Sequence, residues 1–278
     1  MIKIAHEAPL GCFKEVQEHT DYDYFLVHLF DKIPQYLELA LKAKEQGRET
    51  ILDNSIFELG EAFNMERFAV RVNDVRPTYY IVPDALENSE KTMNNMQEWL
   101  DKYKDKIDPS CKMIGVVQGK DYGDICKCYT FMNEQAKVDK IAIPFDFSYY
   151  KWSFVHPSSL VSWAFGRIKL LGDMLREGII NTQKKHHLLG CGLAEEFAFY
   201  DGFNYSWIDS VDTSNPVLAG IEGHCYEPGV ALTDKSTTKM CDLIMGNQKF
   251  TEEQTRLVVH NVQEFRNICC SHRYIRKF

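Results

Sequence analysis

Carboxylates, an amide and a glycine pair stand at the ends of short apolar runs along this chain. Asp53 closes the run in ILDNSIF, Asp84 lies in IVPDAL, Gln118 in GVVQGK and Asp146 in IPFDF. Gly190 and Gly192 sit in LLGCGLAEE, and Asp209 and Asp212 in WIDSVDTSNP. Two carboxylates in different surroundings can divide nucleophilic and acid–base work between them. An amide and glycines that admit close approach can read a polar substrate. An Asp after a strand is also an ordinary turn or N-cap residue, and Asp146, with Ser148 and an aromatic loop behind it, fits that reading best. Gln118 is harder to explain in this way, because a loop start seldom needs an amide.

The elements that must position these residues alternate. Apolar runs with strand character occur at 24–30, 50–52, 79–82, 113–117, 140–143, 187–189 and 206–211, with a weaker one at 2–5. Helical periodicity lies between most of them. Ile33, Leu37, Ala40 and Leu41 fall on one face of 33–45. Met93, Met96, Trp99 and Leu100 do so in 89–103, which opens on Ser-Glu-Lys-Thr. Leu160, Trp163, Ala164, Ile168 and Leu171 line 159–178. Thr251-Glu252-Glu253-Gln254 reads as a capping box launching a last helix through Val258, Val262 and Phe265. Strand–helix units repeating about every 30 residues, with strands apolar on both faces, predict parallel βα units. No GxGxxG or GxxxxGK[ST] turn supports a doubly wound nucleotide fold. The expectation is a single-domain α/β protein, a (β/α)8 barrel spanning 1–278, with the helix and basic tail 251–278 packed on it. Chemistry in such a barrel gathers at the C-terminal strand ends.

Composition narrows the classes further. The 278 residues, 45% hydrophobic with 17 Phe, 14 Tyr and 4 Trp, can bury one large core, which excludes an intrinsically disordered chain. No apolar run approaches the roughly 18 residues of a membrane span. The opening MIKIAHEAPLG has no basic stretch followed by an apolar one, so a cytoplasmic protein is expected. Nine cysteines without paired CxxC spacing read as reduced thiols. The net charge of −8 argues against coating nucleic acid by bulk electrostatics, and leaves room for a local basic strip.

Taken in order, Asp53-Asn54-Ser55-Ile56-Phe57-Glu58, Asp84, Val117-Gln118-Gly119, Gly192-Leu193-Ala194 and Ile208 to Pro216 resemble the tRNA-guanine transglycosylase superfamily, whose members exchange guanine for a 7-deazaguanine. The family's first segment is Asp-Ser-Gly-Gly-aromatic-Gln. The chain departs from it with Ser55-Ile56 in place of the glycines and Glu58 in place of Gln. The family's zinc motif has no counterpart, and the spacing of His224, Cys225 and Cys241 matches no zinc motif. The short, zinc-free form is similar to the phage-type branch that installs 7-deazaguanine bases in DNA.

The resemblance implies roles. Matching two aspartates and a proline makes Asp212 the nucleophile toward the sugar C1′; a shifted register gives that role to Asp209. Asp53 becomes general acid toward departing guanine and general base toward the incoming base. Asp84 would accept from the guanine N1–H and amino group, Gln118 would donate to O6, and a backbone N–H near Gly192 and Leu193 would add a donor. Phe57 would stack on the base. Phosphate contacts are expected from Lys184 and Lys185 and from Arg273, Arg276 and Lys277, the last three with Tyr274 interleaved. The partners implied are DNA, or alternatively tRNA, and a free 7-deazaguanine base, with no membrane, no metal and no cofactor. A phage-encoded chain would work in the host cytoplasm. A barrel N-glycosidase or glycoside hydrolase, and a non-catalytic nucleic-acid-binding subunit, are the competing readings.

Overall fold

Short, mostly buried segments make the strands in a computed structural model of the chain, which describes residues 2–145, 147–200, 204–228, 236, 238–246 and 248–271. The strands are β1 (Lys3–His6), β2 (Asp23–Leu26), β3 (Thr50–Asp53), β4 (Tyr79–Ile81), β5 (Lys112–Val116), β6 (Lys140–Pro144), β7 (Lys185–Leu189) and β8 (Ile208–Thr213). They form one sheet in the order β1-β8-β7-β6-β5-β4-β3-β2. The registered pairs β1–β8, β2–β3, β3–β4, β4–β5 and β5–β6 are parallel. With helices between the strands, this is the α/β architecture of a (β/α)8 barrel.

The chain divides into two compact units, one of Tyr22–Pro144 with Gln183–His187 and the other of Met1–Asp21, Phe145–Thr182 and Leu188–Phe278. In the first, β2, β3 and β6 are buried at every position, as expected of parallel strands covered on both faces. Helix Ser89–Lys102 packs Trp99 against Phe68 and Tyr80, with ring centroids 5.6 Å apart in each pair. In the second unit, helix Glu252–Ser271 buries Val258, Val262 and Phe265. Its capping box forms in full: Thr251 N–H donates to Gln254 Oε1, and Gln254 N–H to Thr251 Oγ1, both at 3.1 Å.

Three local expectations are corrected. Only the first part of the run 24–30 is strand. β2 ends at Leu26, paired with Asp53 at the end of β3, and Val27–Phe30 turns into a helix. A short, largely apolar run has no period by which to separate the two states. The buried face of helix Pro34–Glu45 is Tyr36, Ala40 and Ala43, whereas Leu41 is exposed. The cap of helix Ser89–Lys102 is Asn88, whose side chain accepts from Lys91 N–H at 2.9 Å; Ser89 is buried in the first turn.

Candidate functional site

At the end of β3, Asp53 is held from two sides. Tyr24 Oη, from the neighbouring strand, donates to its Oδ2, and the Ser55 N–H donates to its Oδ1, both at 2.5 Å. Burial, followed by the nearby Glu58 carboxylate, pushes the Asp53 pKa up to about 8 against the pull of these hydrogen bonds. The backbone turn that lets Ser55 reach back is left-handed, with φ 62° and ψ 26°. That region disfavours a non-glycine residue by roughly 1–2 kcal/mol. Contacts on both sides hold it: the His28 N–H donates to Ser55 Oγ at 3.3 Å, and Asn54 Oδ1 accepts from Ile56 N–H at 3.0 Å. The turn delivers Phe57 on the short helix Ile56–Leu59, where the residue is 59% exposed.

Asn54 also joins Asp53 to a second buried carboxyl. Its Nδ2 donates to Asp84 Oδ1 at 2.8 Å and to Val82 O at 3.1 Å. Gln118 Nε2 donates to Asp84 Oδ2 at 2.7 Å, and its Oε1 accepts from Glu87 N–H at 2.8 Å. The amide is therefore fixed in orientation, and one of its N–H groups points at Asp84. Burial raises the Asp84 pKa, while the hydrogen bonds from Asn54 and Gln118 oppose that shift. Asp84 has about four acceptor positions, of which the two amides occupy two, so it can also take donors from a ligand.

In the other unit the central carboxylate is Asp212, buried near the end of β8, whose Oδ1 accepts from Gly190 N–H at 3.0 Å. Gly190 has φ +74°, which favours glycine. The three carbonyls of Gly190-Cys191-Gly192 are each held by a different side chain. Arg167 Nη1 donates to Gly190 O at 2.9 Å, Thr213 Oγ1 to Cys191 O at 2.5 Å and Asn215 Nδ2 to Gly192 O at 2.9 Å. Arg167 is fully buried and fixed by a two-point pair with Glu196, at 2.7 and 2.8 Å. Tyr200 Oη also donates to Glu196. A Cβ on Gly192 would lie 2.5 Å from Leu160 Cδ2 and 2.9 Å from Phe145 Cε1, so packing demands the glycine there. Leu193 is core, clustered with Phe145, Leu160 and Ala164.

Asp209 lies on the opposite face of β8 from Asp212, since side chains alternate along a strand. It shares its face with Val211 and Thr213. Thr213 is registered against His6, whose ring packs edge-on against Phe265 of the last helix at 5.5 Å. Asp209 therefore belongs to the helix-covered face and Asp212 to the other.

Of the basic positions, Lys184 and Lys185 are among the described residues. Lys184 and Lys185 sit at the N-terminal end of β7, whereas Asp53 and Asp212 lie at the C-terminal ends of their strands. Lys184 Nζ donates to Val138 O at 2.5 Å, and burial lowers its pKa; Lys185 is exposed. Arg273, Tyr274, Arg276, Lys277 and Asp146 lie outside the described residues. Among the described residues, no group of three or more His, Cys, Asp or Glu could hold a metal ion, and no helix is long and apolar enough to cross a membrane.

Residues the sequence did not single out carry much of the site. Tyr24 opens the run 24–30 and gives no signal of its own. Asn54 lies inside the recognised segment. Arg167 is a cation within the stretch WAFGRIKLL, where the exposed Lys169 stands two positions on, so the sequence does not say which of the two is buried. No family model and no curated protein sequence matches the chain.

Proposed function

We propose that this protein is a base-exchange transglycosylase that replaces guanine in DNA with a 7-deazaguanine base through a glycosyl-aspartate intermediate. The observation that carries the reading is Asp53, a buried carboxyl with its pKa near 8, able to hold a proton at neutral pH and then release it. Two further features support it. Ser55 takes a left-handed turn where the resembled family has glycine. Asp84 is a buried acceptor oriented by two amides, the chemistry needed to take the N1–H and amino donors of a guanine.

In this reading the Asp212 carboxylate attacks C1′, forming an ester as the bond to guanine breaks. Asp53 gives its proton to the departing base. It then takes a proton from the incoming 7-deazaguanine, whose nitrogen attacks C1′ and releases Asp212. Gly190 N–H orients the nucleophile, and the exposed Phe57 ring offers a stacking surface. Gln118 acts first by orienting Asp84, and keeps a second N–H for a carbonyl such as guanine O6.

The test is incubation of the protein with guanine-containing DNA, or tRNA, and labelled guanine. Incorporation into DNA is expected, and incorporation into neither polymer refutes the reading. Release of guanine without incorporation identifies an N-glycosidase instead. A trapped covalent adduct should form in Asp209→Asn and be absent from Asp212→Asn; the reverse pattern overturns the assignment of the nucleophile.

A further inference from the structure

The segment after β6 displays apolar side chains outward from a tightly built base. Trp152 is 83% exposed and Val155 85%, with the exposed Pro157 close behind. Their neighbours in sequence are anchored inward. Tyr150 is fully buried against Gly166, where a Cβ would come within 2.4 Å of the tyrosine Cβ. Phe147 stacks on Tyr150 at 5.3 Å, and Phe154 stacks on Phe165 at 4.9 Å. The loop is closed by Ser162, whose Oγ accepts from His156 N–H at 3.1 Å and donates to His156 O at 3.2 Å. With 150 and 154 turned inward, 152 and 155 can only point to solvent. These are apolar groups held out on a rigid support, a pattern that marks an interaction site.

Charge says which partner fits. The chain has 40 acidic residues in 278, yet none falls between Phe147 and Gly172. The exposed charge beside Trp152 is Lys151, whose Nζ lies 4.7 Å from the centre of the Trp163 ring. A polyanion therefore meets no carboxylate from this segment of the chain, the local condition that a chain of net charge −8 must meet to touch one. An exposed indole beside a lysine suits a nucleobase with its backbone phosphate. Base–aromatic stacking tolerates any sequence, and an apolar wedge can fill the gap left by an extruded base.

We infer that the Trp152–Val155 tip is a DNA contact, with Trp152 stacking on a base and Lys151 meeting the adjoining phosphate. The inference rests on the base-exchange reading for its choice of DNA, and the test separates the two. Full-length protein is titrated with a single-stranded DNA oligonucleotide and with a duplex carrying 2-aminopurine beside a guanine; RNA of the same sequence and sedimentation of the protein alone are run in parallel. Trp152→Ala should weaken binding to the single strand by about 5- to 150-fold, and Trp152→Phe should retain most of it. Trp152→Ala should also remove the 2-aminopurine fluorescence rise on the duplex. Because the side chain is exposed, both variants should melt like the wild type. Unchanged DNA binding in Trp152→Ala, no DNA binding by the wild type, or binding to RNA alone overturns the inference. So does a wild-type dimer that Trp152→Ala converts to monomer, which assigns the face to a second copy. Trp152-dependent DNA binding without guanine exchange refutes the base-exchange reading and leaves this surface standing.

Discussion

Tyr24 and Asp53 share a 2.5 Å hydrogen bond between adjacent parallel strands, the phenol donating to a carboxyl that burial has pushed toward its neutral form. The bond stabilises the ionised carboxyl and so limits how far the pKa rises. Tyr24→Phe should move the Asp53 pKa further up. In a pH–rate profile for base exchange, the limb belonging to Asp53 should shift to higher pH. An infrared carboxylic-acid band absent from Asp53→Asn should persist to more alkaline pH in Tyr24→Phe. The lost donor should also destabilise the fold by about 1–3 kcal/mol, read by chemical denaturation.

Asp53 also makes stability depend on pH. Its pKa rises from an ordinary value of 3.8 to about 8 on folding, so the folded state binds the extra proton between those limits. The stabilising contribution is complete below about pH 4 and is lost as pH climbs through about 8. Asp53→Asn cannot titrate, so its melting temperature should gain on the wild type from pH 5 to about pH 8 and level off above it, by up to about 2–4 °C per kcal/mol of released penalty. A constant difference across that range would show that Asp53 is ionised throughout.

The left-handed Ser55 predicts an asymmetric pair of substitutions. Ser55→Val places a β-branched side chain at φ 62° and removes the hydroxyl that accepts from His28 N–H, and should destabilise by about 2 kcal/mol or more. Ser55→Gly relieves the backbone and loses only the hydroxyl, so it should stay within about 1 kcal/mol of the wild type. Thermal denaturation of the two variants checks the order.

Arg167 should act on Asp212 through the Gly190 peptide. Arg167→Met alone leaves the buried Glu196 without its cation and should cost about 3–5 kcal/mol. Adding Glu196→Gln should restore most of that stability. The Gly190 carbonyl is still unheld in the double variant, so kcat for base exchange should stay at least about tenfold low with KM little changed. Recovery of activity together with stability would make Arg167 purely structural.

Where the strands lie, and that their ends carry acids and amides, was legible in the sequence. Parallel strands buried on both faces are largely apolar, so the polar residue that follows or closes one stands out, as Asp53, Asp84 and Gln118 do. The helices were equally legible where caps and periodicity agree, as at Thr251 to Gln254. What local pattern could not supply was direction and pairing. Val27 and Leu29 are as apolar as Phe25 and Leu26 before them, and only the pairing of Leu26 with Asp53 shows where β2 ends. The resemblance favours Asp212 over Asp209 only through its choice of register, and the pleat of β8 separates the two onto opposite faces. Tyr24 gains its role solely from the strand beside it, and Gln118 from Asp84, 34 positions away. A hydrogen bond depends on atoms brought within about 3 Å by the chain's long-range path. The sequence by itself therefore determined the alternating elements and the residue types at their ends. Only the tertiary structure decided which of those residues meet and, through burial, which carboxyls are pushed toward their neutral form.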